Sequence, residues 1–156
     1  MSTTMESTVE LLDGMAFSAR TGSGQVLTLD APAEGMPARG PKPIELMLVG
    51  LGGCTAFDVI AILRKMRQDV SGYQVRVRGE RSEQHPMVFT HIAVEHVVRG
   101  RGVSAEAVRR AVELSATRYC SVSAMLGKAV AIEQSYRVID EAVGMEITAP
   151  LELVSS

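Results

Sequence analysis

Cys54 and Cys120 are the residues best suited to redox or nucleophilic chemistry, and they lie 66 positions apart in a chain of 156. That spacing is not a C-x-x-C redox pair. The histidines offer less. His91 and His96 are five positions apart on an expected strand and so point to opposite faces, and His85 falls in a loop, so local spacing gives no metal triad. No G-x-S-x-G is present, which removes the nucleophile elbow of a serine hydrolase. Gly22-Ser23-Gly24 precedes a strand rather than a helix, and so reads as a hairpin turn and not a phosphate cradle.

A free cysteine packs well as a small apolar group, so burial alone would account for either thiol. Local features add chemistry to that reading. Cys120 begins an expected helix, where backbone amides favour thiolate over thiol. Cys54 has Thr55 beside it and Asp58 one turn on, unusual polarity in an apolar run. A carboxylate near a thiol raises its pKa, an effect that only a neighbouring cation would offset. Glu45 stands nine residues before Cys54, about 13–14 Å along an unbroken helix at 1.5 Å per residue. It reaches Cys54 only through a bend at the intervening glycines or across a dimer.

The elements that must position these residues follow from patterning. Ile44–Leu63 is the most hydrophobic stretch, with Pro43 and Glu45 suited to a helix start and Arg64, Lys65 and Arg67 to its end. Its 20 residues would just span a bilayer. Asp58 near the middle would cost about 2.5–3.5 kcal/mol there, which favours a buried helix and argues against a membrane. A helix apolar all round needs cover on every face, and one chain of this size has little left to supply it, so a homodimer is expected. Gly50, Gly52 and Gly53 cost helix propensity and imply a close neighbour, expected to be another helix.

Before this helix, Thr8–Leu12, Met15–Thr21 and Val26–Leu29 read as strands, and the Pro- and Gly-rich stretch Ala31–Lys42 as a loop. After it, Tyr73, Val75 and Val77 alternate with Gln74, Arg76 and Arg78, a half-buried strand, and Val88–Val98 gives a second. Ser104 suits a helix N-cap. Behind it Val108, Ala111, Val112, Ser115 and Tyr119 recur at helical spacing, a short helix follows over Ser121–Lys128, and Ala129–Ile139 and Met145–Val154 supply final strands. The fold class is α+β, mainly antiparallel, with a long buried central helix and a second helix pair. A single domain over 1–156 is expected, its core at about 6–140 and a C-terminal strand at 145–154.

Composition bounds the partners. With 46% hydrophobic and 22% charged residues the chain is an ordinary folded protein. A net charge of −2, 4% aromatics and no Trp argue against nucleic acid. Two cysteines are too few for a disulfide-stapled scaffold, and Met1–Glu10 lack the pattern of a signal peptide, so a cytoplasmic protein with reduced thiols is expected.

Taken together, Pro43-Ile44-Glu45-Leu46, Gly53-Cys54-Thr55 on the long helix, Tyr119-Cys120-Ser121-Val122-Ser123 and the order of elements over roughly 6–140 resemble the osmotically inducible protein C / organic hydroperoxide resistance (OsmC/Ohr) family. The resemblance implies an intertwined homodimer with active sites at the subunit interface. It also implies thiol-dependent reduction of organic hydroperoxides without metal, flavin or other cofactor. By position Cys54 corresponds to the peroxidatic and Cys120 to the resolving cysteine, with an external dithiol as reductant. The chain departs from the family pattern in two places. The helix-start carboxylate stands one residue late, at Glu45, and the position of the family's activating arginine falls near Met15, with Arg20 and Arg39 the nearest substitutes. Two other readings stand beside the peroxidase: a non-catalytic module that binds a small apolar ligand at the dimer interface, and a general disulfide oxidoreductase or redox sensor.

Overall fold

A computed structural model describes residues 2–153. The chain divides into two compact units, Met1–Met47 and Leu48–Ser156.

The first unit is a three-stranded antiparallel sheet of β1 (Ser7–Asp13), β2 (Ala16–Thr21) and β3 (Val26–Leu29), in that order. A long loop follows, tied down by a buried carboxylate. Asp30 is 4% exposed and accepts the Arg39 backbone N–H at 3.0 Å, while the Arg39 guanidinium grips Asp13 with two hydrogen bonds of 3.0 and 2.6 Å. The loop passes so close to β3 that a Cβ on Gly40 would fall 1.8 Å from the Thr28 carbonyl oxygen, which explains glycine there.

Helix α1 (Pro43–Lys65) begins in the first unit and continues into the second. Its start is a capping arrangement: the Lys42 backbone N–H donates to the Glu45 carboxylate at 2.8 Å. Arg64 and Lys65 occupy its last turn, as the sequence implies.

The second unit carries a four-stranded sheet of β4 (Asp69–Arg81), β5 (Phe89–Arg101), β6 (Ala131–Asp140) and β7 (Met145–Pro150), in that spatial order. All neighbours are antiparallel except β5 and β6, which run parallel. Parallel neighbours need a crossover. Here it consists of α2 (Ala105–Leu114), a π-helical turn (Ser115–Tyr119) and α3 (Ser121–Leu126). Ser104 caps α2 as expected, its hydroxyl accepting the Ala107 N–H at 3.2 Å. The expected last strand is shorter than Met145–Val154: it ends at Pro150, and Val154 lies outside the described residues.

By length and composition α1 could cross a membrane, but it serves as a core helix. Leu51, Thr55, Val59 and Leu63 recur every fourth residue and are essentially inaccessible. Leu51 joins a cluster with Ile92, Val94 and Cys120, whereas Val59 and Leu63 join Val98, Val108, Ala111, Val112 and Val138. Full burial of such aliphatic side chains is worth roughly 1.5–3 kcal/mol each. Thr55 sits on this stripe between the two clusters. On the opposite face of α1, Val49 is 64% and Phe57 80% exposed. Within the chain, the close neighbour at Gly52 is a strand. A Cβ on Gly52 would lie 3.0 Å from Val77 of β4, while Gly50 and Gly53 have open space around them.

Candidate functional site

The π-helical turn is what brings the crossover onto α1 at the right place. One extra residue in the turn lets the Cys120 N–H donate to the Ser115 carbonyl at 2.9 Å, and the helix then restarts with Cys120 as the N-cap of α3. Cys120 is buried, and its Sγ accepts the Ser123 N–H at 3.3 Å. From α1, Cys54 presents its half-buried Sγ to the same spot, 3.8 Å from the Ser121 hydroxyl. The sulfurs of Cys54 and Cys120 and a carboxylate oxygen of Asp58 all lie within 4.8 Å of one another.

A polar seam supports this cluster from below. Ser115 donates its hydroxyl proton to Asp58 Oδ2 at 2.8 Å. Its oxygen therefore accepts from Thr55, whose hydroxyl is 2.8 Å away. The chain Thr55–Ser115–Asp58 fixes the carboxylate beside the thiols and satisfies the hydroxyls between the two apolar clusters.

The two thiols differ in acidity. Burial pushes the Cys54 thiol up, but hydrogen bonds from the Val122 backbone N–H, the Cys120 thiol and the Ser121 hydroxyl favour its thiolate and outweigh burial. The result lies below the ordinary value, although the Asp58 carboxylate opposes it. Cys120 is pushed up, first by burial and further by the charge of Cys54, despite the Ser123 N–H. The sequence argument for thiolate character at a helix start pointed to Cys120. Cys120 does receive the Ser123 N–H there, but burial outweighs it, and the more acidic thiol is Cys54.

Glu45 and Arg20 both belong to the first unit. Glu45 caps the start of α1, and Arg20 lies on β2, paired with Thr8 and Val26. Arg39 is engaged with Asp13 and Asp30.

His91 and His96 face opposite ways on β5, as their spacing implies. His91 pairs with Glu133 at 3.2 Å. His96 is wholly buried and forms part of a relay that the sequence did not disclose. Its Nε2–H donates to Gln134 Oε1 at 3.0 Å, and its Nδ1 accepts from the Tyr73 hydroxyl at 2.7 Å. Burial lowers the His96 pKa to about 4, so the ring is neutral at physiological pH. Burial also pushes the Tyr73 phenol up, and the Asp58 carboxylate adds to that rise.

Tyr73, Val75 and Val77 of β4 and Leu48, Val49, Gly52, Gly53 and Ala56 of α1 line an apolar groove of about 440 Å³. Leu48, Val75 and Val77 also pack in the apolar cluster that contains both cysteines.

The OsmC-like protein family model matches residues 35–135, a stretch that holds both cysteines, Asp58 and Ser115. This chain belongs to the OsmC-like family. Protein YhfA of Escherichia coli (strain K12) is 42% identical to it over 135 residues, covering 86% of this chain and 98% of YhfA. Among solved structures, a hypothetical protein from Aquifex aeolicus VF5 is 32% identical with a TM-score of 0.80, covering 90% of this chain and 99% of that one. An organic hydroperoxide resistance protein from Elizabethkingia anophelis has the same fold at 14% identity, with a TM-score of 0.61 and coverage of 90% and 99%. The OsmC-like chain thus has the α+β architecture of this family, and its structural neighbours include hydroperoxide resistance proteins.

Proposed function

We propose that this OsmC-like chain is a thiol-dependent peroxidase that reduces organic hydroperoxides. Cys54 thiolate attacks the distal peroxide oxygen. The O–O bond breaks, the alkoxide takes a proton and leaves as the alcohol, and Cys54 becomes a sulfenic acid. The Cys120 thiol condenses with the sulfenic acid, water leaves, and a disulfide forms. An external dithiol then reduces that disulfide by exchange and is itself oxidised.

The observation that carries this reading is the pairing of unequal sulfurs. The more accessible thiol is the more acidic, and the less acidic, buried one waits beside it. The apolar groove, whose Leu48, Val75 and Val77 pack in the same cluster as the two cysteines, suits the hydrocarbon part of an organic peroxide better than hydrogen peroxide. The hydroperoxide resistance proteins among the structural neighbours support the same substrate class.

We further assign the cover of the exposed α1 face to a second copy of the chain, with the site at that interface. The two compact units are read as one OsmC-like domain in a cytoplasmic protein. Glu45 and Arg20 are proposed contributors to the site, Arg20 as the cation that favours the Cys54 thiolate. In Arg20→Ala the midpoint of Cys54 alkylation with pH should rise, and an unchanged profile removes Arg20 from the site.

Reduced protein mixed with cumene hydroperoxide should lose both thiols of each chain. Cys54→Ser should abolish the loss, and Cys120→Ser should leave Cys54 open to sulfenic and further oxidation. Intact thiols in the native protein overturn the proposal. The groove also favours a second reading, a module that retains a small apolar ligand without turnover. Tight retention of an apolar fluorophore by a protein whose thiols ignore cumene hydroperoxide would select it.

A further inference from the structure

The peroxidase reading leaves one residue working against it. Asp58 holds a carboxylate beside Cys54, where its charge repels the thiolate, and Ser115 and Thr55 are arranged to keep it there. A role confined to packing does not call for an acid in so apolar a helix, and a peroxidatic thiolate is weakened by one. We propose that Cys54 Sγ, Cys120 Sγ and an Asp58 carboxylate oxygen form a binding site for a thiophilic divalent cation of the zinc class, and that the bound ion holds both thiols out of reaction. The proposal uses the same atoms as the peroxidase reading but does not depend on it.

Two thiolates and one carboxylate are a donor set that zinc accepts, and a fourth position left to water completes a tetrahedron. Bonds of about 2.3 Å to sulfur and about 2.0–2.2 Å to oxygen place such ligand atoms roughly 3.5–4 Å apart. The three atoms stand within 4.8 Å of one another, so small side-chain rotations close the set. Among the described residues this is the group of His, Cys, Asp and Glu side chains that converges in this way. The Ser115 hydroxyl on Asp58 Oδ2 has the part of an outer-shell donor that orients a ligating carboxylate. The cation would also reverse the sense of the electrostatics: between carboxylate and thiolates it turns mutual repulsion into shared attraction. No electron moves on binding. The thiol protons pass to solvent, so affinity rises with pH. Release of the ion restores the free pair.

The test is a titration of reduced, chelator-stripped protein with zinc alone, in competition with a chromophoric chelator. Cobalt substitution in parallel reads sulfur coordination through its charge-transfer band. The expected result is one ion per chain, a thiolate-to-cobalt band, and protection of both thiols from alkylation. Asp58→Asn keeps both sulfurs and nearly the same volume, and should lose affinity by about tenfold or more. Cys120→Ser should lose affinity and weaken the cobalt band, since a serine hydroxyl is a poor zinc donor. Native protein that fails to compete with the chelator, or Asp58→Asn that binds as tightly as the native chain, overturns the proposal. A protein that binds no zinc yet loses its thiols to cumene hydroperoxide overturns only the metal site. One that binds zinc but never consumes peroxide overturns only the peroxidase.

Discussion

Ser115 and Cys120 are joined by a backbone hydrogen bond of 2.9 Å that spans a π-helical turn, and through it two different jobs are held in register. Ser115 faces α1 and secures Thr55 and Asp58, while Cys120 opens the next helix with its sulfur beside Cys54. An uninterrupted α-helix would rotate one of the two away from α1. π-Bulges are found often at functional sites for this reason: one added residue re-aims the side chains that follow.

Ser115→Ala keeps the carbonyl that Cys120 uses and deletes only the hydroxyl. Thr55 then loses its acceptor in a buried setting, and the half-buried Asp58 loses its donor. A loss of about 1–3 kcal/mol is expected, read as a lower urea midpoint with an unchanged slope.

Alkylation by iodoacetamide, followed by mass spectrometry across pH, should show Cys54 reacting with a midpoint below the ordinary 9.0 and Cys120 above it. The variants shift Cys54 in opposite senses. Cys120→Ala removes a donor to the thiolate and raises the midpoint; Asp58→Asn removes an opposing charge and lowers it. Equal reactivity of the two thiols would contradict the assigned roles.

His96 makes stability depend on acidity. Folded, the ring stays neutral down to about pH 4, whereas in the unfolded chain it takes up a proton near 6.5. Between those values the unfolded state binds more protons, so stability is complete above 6.5 and declines as pH falls toward 4. The slope is at most about 1.4 kcal/mol per pH unit. His96→Gln lowers stability throughout but should flatten that part of the profile, measured by urea unfolding at several pH values.

Phe57 is 80% exposed on α1 and should be covered if a second copy packs there. Phe57→Glu is then expected to convert a dimer to a monomer by sedimentation while leaving circular dichroism unchanged. A variant that sediments like the native protein would place the cover elsewhere.

How much the sequence disclosed varied with how local the cause was. The alternation at Tyr73, Val75 and Val77, the Ser104 cap and the terminal charges of α1 are read from neighbours along the chain, and the structure has β4, the α2 cap and α1 there. The spacing of Val108, Ala111, Val112, Ser115 and Tyr119 suggests one continuous helix, because a π turn inserts its extra residue without changing the residue types. Ser115 accordingly looks like an ordinary inward position. The hint that could have exposed it was a hydroxyl on an apolar face together with the stray polarity of Thr55 and Asp58. The parallel pairing of β5 and β6 and the Tyr73–His96–Gln134 relay depend on partners 23 to 38 positions apart or more, which no periodicity encodes.

The distance in sequence between Cys54 and Cys120 has a consequence for endurance. A covalent link between them would close a loop of about 66 residues, and restricting the disordered chain to that extent is worth roughly 4 kcal/mol. Oxidised protein should therefore survive heating that melts its reduced form. The melting temperature would then serve as a running record of how recently the molecule had met an oxidant.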